Sequence, residues 1–209
     1  FIKNFQFQTI LLKNNLLKEL ICLNGKSDFS NKFVVTKEIM QKISKQVSGT
    51  EVIGVCSYNY TDEIKGNVLL IDSLQDPGNL GTIIRSAVAF NFETIVLGDD
   101  TVDIYNEKTI RASEGMLFNV NFVKSNLFEM IEELKQKNYQ IIGTDVKKGT
   151  NLNNINGNVA IIIGNEGNGM QETLKNKCDS LVNIPMNKKC ESLNAGVAAS
   201  ILMYEVYHG

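Results

Sequence analysis

Residues 67–87, "NVLLIDSLQDPGNLGTIIRSA", have the pattern of a buried strand, a turn and the start of a helix. The apolar run "NVLLI" ends in a loop that holds one of the chain's two prolines, and apolar residues then recur at helical spacing. Pro77 and Gly78 are typical of a turn, and Asn79 is predicted to be the N-cap of the helix. Such a unit predicts parallel strands connected by helices.

The same alternation of apolar runs and helical segments continues to the C-terminus. Strands are predicted near 68–72, 94–98, 119–123, 140–145, 159–164 and 181–186, and helices near 80–91, 104–113, 126–137, 169–177 and 194–207. Continuous apolar runs such as "VAIIIG" are typical of strands that are covered on both faces. The predicted fold class is therefore α/β, with a mostly parallel sheet flanked by helices.

The beginning of the chain has a different pattern. Helices are predicted over 7–21 and 36–47, and short strands over 32–36 and 51–58. Residues 59–67 are polar and end in a turn dipeptide, which indicates a linker. The sequence therefore predicts a small α+β domain over 1–64 and an α/β domain over 67–209.

Composition limits the possible chemistry. The formal net charge of -2 argues against a strongly basic nucleic-acid coat, although it leaves room for a local basic patch. The four cysteines include no C-x-x-C pair and the single histidine is His208, so neither a zinc site nor a disulfide framework is predicted. No apolar run is long enough to span a bilayer. We therefore expect a cytoplasmic protein without a membrane partner.

Three loops that follow predicted strands carry conspicuous polar residues. Ligands of parallel α/β sheets bind beyond the carboxyl ends of the strands, so these loops are the candidate site. Arg85 lies in the helix after the first loop, Glu166 lies in the glycine-rich second loop "IIIGNEGNGM", and Ser192 and Asn194 lie in the third. No nucleophilic cysteine, catalytic histidine or acidic ligand cluster accompanies them, so triad and metal-assisted chemistry fit poorly.

Each of these residues also has a purely structural interpretation. Arg85 could extend its charged end to solvent, and Glu166 could be an exposed turn residue. Ser192 and Asn194 could simply cap the last helix. The residues by themselves therefore indicate a ligand-binding α/β domain, and an enzyme more than a structural protein.

Taken together and in this order, the three loops resemble the SpoU family of RNA ribose 2'-O-methyltransferases, within the SPOUT superfamily. "PGNLGTIIRSA" is similar to the first family motif, "IIIGNEGNGM" to the second and "IPMNKKCESLNAGVAASILMYE" to the third. The intervening "IRASEGMLFNVNFV" is also similar, so the resemblance covers residues 68–207. The third motif departs from the family pattern at Asn187, Lys188 and Lys189, where a glycine often stands.

The N-terminal module resembles, more weakly, the small ribosomal-protein-like RNA-binding domain that often accompanies this family. Because the chain opens on Phe1 without a methionine, we expect this module to be incomplete at its start. For the C-terminal domain the resemblance implies a deep trefoil knot, a homodimer and S-adenosylmethionine as cofactor. No metal is expected.

The resemblance also implies which residues form the site. The implied catalytic set is Arg85, Asn79, Glu166, Ser192 and Asn194. The implied cofactor-binding set is Thr144, Ile163, Gly164, Gly167, Ile184, Met186 and Leu193. The expected role of Arg85 is to orient the ribose and to stabilise the developing alkoxide, since a guanidinium group is a poor general base.

The implied substrate is RNA, and ribosomal RNA is favoured because a separate N-terminal module is present. Three alternatives stay open: ribose methylation of tRNA, base methylation by a related knotted enzyme, and RNA binding by a member of the fold that has lost catalysis. The polar residues retained in all three loops argue against the last of these.

Overall fold

The computed structural model describes residues 17–23, 30–44, 49–58, 60–146, 149–152, 155 and 157–209. The chain divides into two compact units, residues 1–59 and 60–209. Within the described ranges, no helix is both long enough and apolar enough to cross a membrane.

The first unit contains a three-stranded sheet and one described helix. Its elements are β1 (Leu17–Cys22), β2 (Lys32–Val34), α1 (Lys37–Ile43) and β3 (Val52–Cys56). The strand order is β2-β1-β3, with β2 parallel and β3 antiparallel to β1. The two predicted strands and the second predicted helix are confirmed in shortened form; residues 45–48 of that helix lie outside the described ranges.

The first predicted helix, over 7–21, is wrong where it can be compared. Residues 17–21 belong to β1, and residues 7–16 lie outside the described ranges. A short apolar run fits a strand as well as a helix, because its periodicity alone cannot distinguish them. The segment forms a strand because it pairs with β2 and β3, and this pairing buries Leu17, Leu20 and Cys22.

The second unit is built on a six-stranded sheet in which every paired strand runs parallel. Its strands are β4 (Asn67–Ile71), β5 (Phe92–Leu97), β6 (Asn121–Lys124), β7 (Gln140–Thr144), β8 (Val159–Ile163) and β9 (Ser180–Val182). Its helices are α2 (Pro77–Ala89), α3 (Glu107–Ala112), α4 (Leu127–Gln136), α5 (Glu172–Lys175) and α6 (Ala195–His208), with a 3-10 turn at Met116–Asn119. The predicted α/β class, a mostly parallel sheet flanked by helices, is confirmed.

Apolar side chains cover both faces of this sheet. On one face, α2 and α6 pack against strand residues such as Leu69 and Ile161. On the other face, α4 and α5 pack against residues such as Leu70 and Ile162. All five residues of β8 are buried, as expected for a strand that is covered on both sides.

Several predicted boundaries are wrong at the ends of elements. Helix α2 begins at Pro77, and its N-cap is Asp76, whose Oδ1 accepts a hydrogen bond from the backbone N–H of Asn79 at 2.9 Å. Asn79 therefore lies inside the first turn and is not the cap. Proline is favoured at the first helical position because it has no N–H to leave unpaired.

Three other elements are shorter or displaced relative to the prediction. β9 ends at Val182 rather than at residue 186, and α5 covers only Glu172–Lys175 of the predicted 169–177. Gly169, with a φ of 69°, closes a turn and delays the start of α5. The strand predicted over 119–123 runs from Asn121 to Lys124, after the 3-10 turn.

The strand order, β6-β5-β4-β8-β7-β9, places the switch in chain direction between β4 and β8. From β4 the chain proceeds outward to β5 and β6, and it returns on the other side through β7 before β8 inserts beside β4. Ligands of open parallel α/β sheets bind beyond the carboxyl ends of the strands at such a switch point. The fold therefore puts the loops after β4 and β8 where a ligand is expected.

Candidate active site

The loops after β4 and β8 are joined from their first residues. The backbone N–H of Asp72, directly after β4, donates to the carbonyl of Ile163, the last residue of β8, at 2.8 Å. The side-chain amide of Asn165 donates to the carbonyl of Ser73 at 2.8 Å. Two of the three predicted loops thus form a single surface at the carboxyl edge of the sheet.

Glu166 is the point at which these loops are connected most densely. Its carboxylate accepts hydrogen bonds from the backbone N–H groups of Gln75 (3.1 Å) and Asp76 (2.9 Å), and from the side-chain amide of Asn79 (3.1 Å). A carboxylate that accepts several N–H groups organises the backbone around it. Glu166 is therefore not merely a turn residue, since it holds the N-terminus of α2 against the glycine-rich loop, residues 164–170.

Asn79 extends the connection to the third loop, residues 183–194. Its side-chain carbonyl accepts a hydrogen bond from the side-chain amide of Asn194 at 2.8 Å. Asn194 is also the N-cap of α6, and its Oδ1 accepts from the backbone N–H groups of Gly196 and Val197. Glu166, Asn79 and Asn194 thus form one chain of hydrogen bonds across three loops, and the capping interpretation of Asn194 holds together with the site interpretation.

Arg85 lies on α2 but outside this chain of hydrogen bonds. It is six residues after Asn79, which corresponds to about 9 Å along the helix axis. Its guanidinium pairs with the carboxylate of Glu114 at 3.3 Å, and both side chains are more than half exposed. Ser192 is exposed in the third loop, where its carbonyl accepts from the Cys190 thiol at 3.3 Å. The structure therefore joins three of the five predicted catalytic residues and leaves Arg85 and Ser192 facing solvent.

The predicted cofactor residues lie on three loops that leave adjacent strands. Thr144 ends β7 and Ile163 ends β8, with Gly164 and Gly167 following in the glycine-rich loop. Ile184, Met186 and Leu193 are half-buried members of the third loop, whose residues 187–192 are all exposed. Since β8, β7 and β9 are neighbours in the sheet, these residues share one end of it.

Close backbone contact explains the glycine at position 164. A methyl group added at Gly164 would overlap backbone atoms of Gly169 and Met170. These two residues turn back over Gly164 because Asn165 and Gly169 exchange a pair of backbone hydrogen bonds. The side chain of Asn165 closes the same turn by accepting from the N–H groups of Gly167 and Asn168.

Several polar residues that build the site were not identified by the sequence pattern. Asp76 caps α2 and pairs with Lys108 at 2.9 Å, and Asp72 and Gln171 are hydrogen-bonded beneath the glycine-rich loop. One signal was present, since Asp72 directly follows the apolar run of β4 at the end where parallel strands bind ligands. Its partner Gln171 lies 99 positions later, and no local pattern connects the two.

The described residues contain no group of three or more His, Cys, Asp or Glu side chains that could hold a metal ion. The two described residues with the most buried carboxylates, Asp72 and Asp145, are each occupied by protein partners. The polar chemistry of the site therefore comes from amides, one exposed arginine and the Glu166 carboxylate.

The environment of Glu166 sets its charge state. Burial raises the pKa of its carboxyl, but hydrogen bonds from the backbone N–H groups of Asp76 and Gln75 and from the Asn79 amide lower it more. The net pKa lies below the ordinary value of 4.5. Glu166 is therefore an anion throughout the neutral range, which suits an acceptor of hydrogen bonds and not a proton donor.

This pKa shift leads to a prediction for stability. Since the folded-state pKa is below the unfolded value, the stabilisation by Glu166 is present above pH 4.5 and is lost as the pH falls through the folded-state pKa. At pH 7 we expect Glu166→Gln to lower the melting temperature by about 2–4 °C, because a carboxamide would point one N–H at another donor.

Thermal melting of both proteins between pH 3 and pH 8 checks this prediction. The difference in melting temperature between wild type and Glu166→Gln should be constant from pH 6 to pH 8. It should narrow below pH 4.5. Glu129→Gln, at an exposed position in the first turn of α4, serves as the matched control and should show no comparable difference. A difference that grows with acidification would contradict the assigned hydrogen bonds.

Comparison of the chain with protein-family models and with curated proteins finds relatives of one family. A family model described as the SpoU rRNA Methylase family matches residues 66–204. The chain is 43% identical over 141 residues to the 23S rRNA (guanosine(2553)-2'-O)-methyltransferase RlmP of Bacillus subtilis, and the match covers 66% of this chain and 57% of RlmP. It is 34% identical over 204 residues to YacO of Bacillus subtilis, which is provisionally assigned to the TrmH family of tRNA/rRNA methyltransferases; this match covers 91% of the chain and 82% of YacO.

Solved structures share the same fold. The SpoU methyltransferase AviRb from Streptomyces viridochromogenes, in complex with AdoMet, superposes with a TM-score of 0.80 at 22% identity, covering 96% of this chain and 86% of AviRb. An rRNA methyltransferase from Sinorhizobium meliloti gives a TM-score of 0.86 at 23% identity, covering 97% and 84% of the two chains. The family model covers most of the second unit and the three loops of the site. The chain therefore belongs to the SpoU rRNA Methylase family.

Proposed function

We propose that this protein transfers a methyl group from S-adenosylmethionine to a ribose 2'-hydroxyl of RNA, with ribosomal RNA as the favoured substrate. The family assignment supports the reaction class, and RlmP is named as an rRNA guanosine 2'-O-methyltransferase. Since the chain spans little more than half of RlmP, its choice of RNA is inferred and not transferred from that relative.

The observation that carries the proposal is the hydrogen-bonded chain Glu166–Asn79–Asn194. It joins three loops at the carboxyl edge of the sheet without using a nucleophilic side chain or a metal ligand. Such a site suits a reaction in which the substrate supplies the nucleophile and the protein must hold it in place. A ribose hydroxyl is a substrate of this kind.

Arg85 has the exposure and the charge to contact such a substrate. Its guanidinium, about half exposed, can donate to the ribose oxygen and to a neighbouring phosphate. A guanidinium group is a poor general base, so we assign orientation and alkoxide stabilisation to Arg85 rather than proton removal. Ser192, exposed on the third loop, is assigned a second contact to the RNA.

The cofactor-side residues fit S-adenosylmethionine. Ile184, Met186 and Leu193 offer half-buried apolar surface, and the exposed, side-chain-free Gly167 leaves its backbone groups accessible at the adjacent loop, which begins at the buried Gly164. Apolar surface with a few backbone donors and acceptors is the usual lining of a nucleoside site. When bound, the cofactor supplies a methyl group on a sulfonium centre, and these residues with Thr144 and Ile163 would hold it.

The proposal extends to the architecture of the whole protein. Residues 1–64 would act as an RNA-binding domain, and residues 67–209 would form the methyltransferase domain. The proposal includes a trefoil knot, which rests on the family assignment. The segment after β7 runs beside the end of β9: Thr150 N–H donates to Leu181 O at 3.0 Å and Asn183 N–H donates to Thr150 O at 2.9 Å.

A homodimer through the C-terminal domain is supported by exposed apolar and aromatic side chains on α6. Val197, Tyr204 and Tyr207 are each between 45% and 55% exposed on that helix. Exposed apolar surface of this kind commonly marks a protein interface. The enzyme is proposed to act in the cytoplasm, where its RNA substrate is found.

The test is transfer of tritiated methyl from S-adenosylmethionine to total bacterial RNA that lacks its own 2'-O-methyl marks, followed by fractionation by size. Label in one ribosomal RNA, in a nucleotide resistant to alkaline cleavage, would support the proposal. Label in the tRNA fraction would favour the second candidate, which the naming of YacO suggests. Label in a base would indicate the related base methylation, and cofactor binding without label in any RNA would indicate a binding protein.

A further inference from the structure

Two buried carboxylates stand at the carboxyl edge of the sheet, on either side of β8. Asp72 follows β4 and is 2% exposed, and Asp145 follows β7 and is 9% exposed. Among the buried residues of the described ranges, they are the only acidic ones. Burial of a carboxylate is costly unless it is paired, so both positions require an explanation that the reaction itself does not provide.

Both carboxylates bind the same short segment, residues 171–175, which follows the glycine-rich loop. Asp72 accepts two hydrogen bonds from Gln171, one from its backbone N–H at 3.0 Å and one from its side-chain amide at 2.8 Å. The hydroxyl of Ser73 donates a third, at 3.2 Å. This two-point contact fixes both the position and the orientation of the residue that begins the segment.

At the other end of the segment, Lys175 pairs with Asp145 at 2.7 Å and with Glu172 at 2.6 Å. The Lys175 and Asp145 side chains are only 13% and 7% exposed. Hydrogen bonding to Asp145 and then to Glu172 raises the pKa of Lys175, so Lys175 is charged at neutral pH. Removal of Lys175 would take away the positive charge that faces the buried Asp145 carboxylate at 2.7 Å.

The segment reaches two different parts of the site through these contacts. Gln171 follows Met170, whose backbone lies against Gly164, and the turn that ends there carries Glu166. Asp145 follows Thr144, and its backbone N–H donates to the carbonyl of Val182, where the third loop leaves β9. One contact therefore supports the glycine-rich loop, which carries Glu166 and the proposed cofactor residues Gly164 and Gly167. The other contact supports the loops at Thr144 and Val182.

We infer that residues 171–175 form a clamp that fixes two parts of the site separately, with Asp72 positioning the glycine-rich loop and the Asp145–Lys175 pair positioning the loops at Thr144 and Val182. This inference rests on the proposed methyl-transfer function. It assigns Asp72, Asp145, Gln171 and Lys175 as positioning residues, since they act through Glu166 and through the loops at Thr144 and Val182.

The test is a comparison of Asp72→Ala with Lys175→Met. For Asp72→Ala we expect kcat, at saturating S-adenosylmethionine, to fall about tenfold or more, because a displacement of roughly 1 Å at a reacting group is costly. Its Kd for the cofactor should rise as well, because Gly164 and Gly167 lie on the same loop as Glu166. For Lys175→Met we expect only the Kd to rise, by about tenfold or more, with kcat at saturation nearly unchanged.

Lys177→Met is the matched control, since Lys177 lies two residues further on and forms a half-exposed pair with Glu132 at 2.5 Å. Lys177→Met should change neither kcat nor the Kd for the cofactor. If Asp72→Ala fails to fold, Gln171→Leu provides the milder variant, because Gln171 is exposed and keeps its backbone hydrogen bond to Asp72. An equal fall of kcat in both test variants would overturn the separate positioning.

Hydrogen exchange of the cofactor-free protein separates this inference from the proposed function. We expect faster exchange at 164–170 in the Asp72 variant, and at 144–146 and 180–183 in the Lys175 variant. Exchange unchanged from wild type would overturn the clamp. A wild-type protein that methylates no RNA would instead overturn the proposed function, while these exchange rates would still report whether the clamp exists.

Discussion

Replacement of Arg85 by alanine is expected to abolish methyl transfer to RNA while the Kd for S-adenosylmethionine stays within about threefold of wild type. Arg85 is the exposed cation on the helix whose first turn holds Asn79, and it lies outside the loops that carry the proposed cofactor residues. Loss of one group that stabilises developing negative charge typically costs about 10²- to 10³-fold in rate. Loss of substrate orientation adds to that cost.

The measurements are single-turnover methyl transfer and calorimetric titration of the cofactor. Lys137→Ala is a suitable control, because Lys137 is also an exposed cation that pairs with a glutamate, Glu133. It lies where α4 ends, shortly before β7 begins, and therefore at the amino ends of the strands. Arg85→Lys should recover little activity, since an ammonium group lacks the planar fork that contacts two oxygens at once. Comparable loss of cofactor binding and of transfer in Arg85→Ala would refute the assigned role.

Replacement of Gly164 by alanine is expected to eliminate S-adenosylmethionine binding. The added methyl group would overlap the backbone of Gly169 and Met170, which cannot move without opening the turn that carries Glu166. Overpacking against fixed backbone costs about 1–3 kcal/mol or more, and here the strain would fall on the loop that is proposed to contact the cofactor. We therefore expect no measurable cofactor binding and a lowered melting temperature.

Gly167→Ala is the steric control for folding, because a methyl group there would lie 3.6 Å from Asn165 Oδ1 and meet nothing closer. Its melting temperature should match that of wild type. Thermal melting and equilibrium binding of the cofactor measure both effects. Wild-type affinity in Gly164→Ala would show that the glycine-rich loop does not have the close backbone contact described above.

The sequence was informative wherever structure follows from local pattern. Apolar runs at regular spacing correctly predicted the six parallel strands of the second unit, because strands buried on both faces need continuous apolar residues. It was unreliable where a short segment depends on distant partners. Residues 17–21 pair with β2 and β3 as a strand although they fit a helix, and Asp76 rather than Asn79 caps α2.

For the candidate site too, local motifs predicted some of the residues, and only the structure revealed how they are connected. The motifs identified Glu166, Asn79 and Asn194, and only the structure shows that the three are hydrogen-bonded in one chain. The contact of Asp72 with Gln171 spans 99 positions, so no local pattern could reveal it. That Arg85 and Ser192 act on the substrate stays a prediction, which their exposure to solvent permits.

The amino-acid sequence by itself determined the fold class of the second unit, the order of its strands along the chain and the residue types at the ends of those strands. These follow from periodicity and turn chemistry, which act over a few neighbouring residues. Only the tertiary structure decided which of those strand ends meet. The insertion of β8 between β4 and β7 is a pairing of distant segments, and it brings Glu166 to Asn79 across 87 positions of sequence.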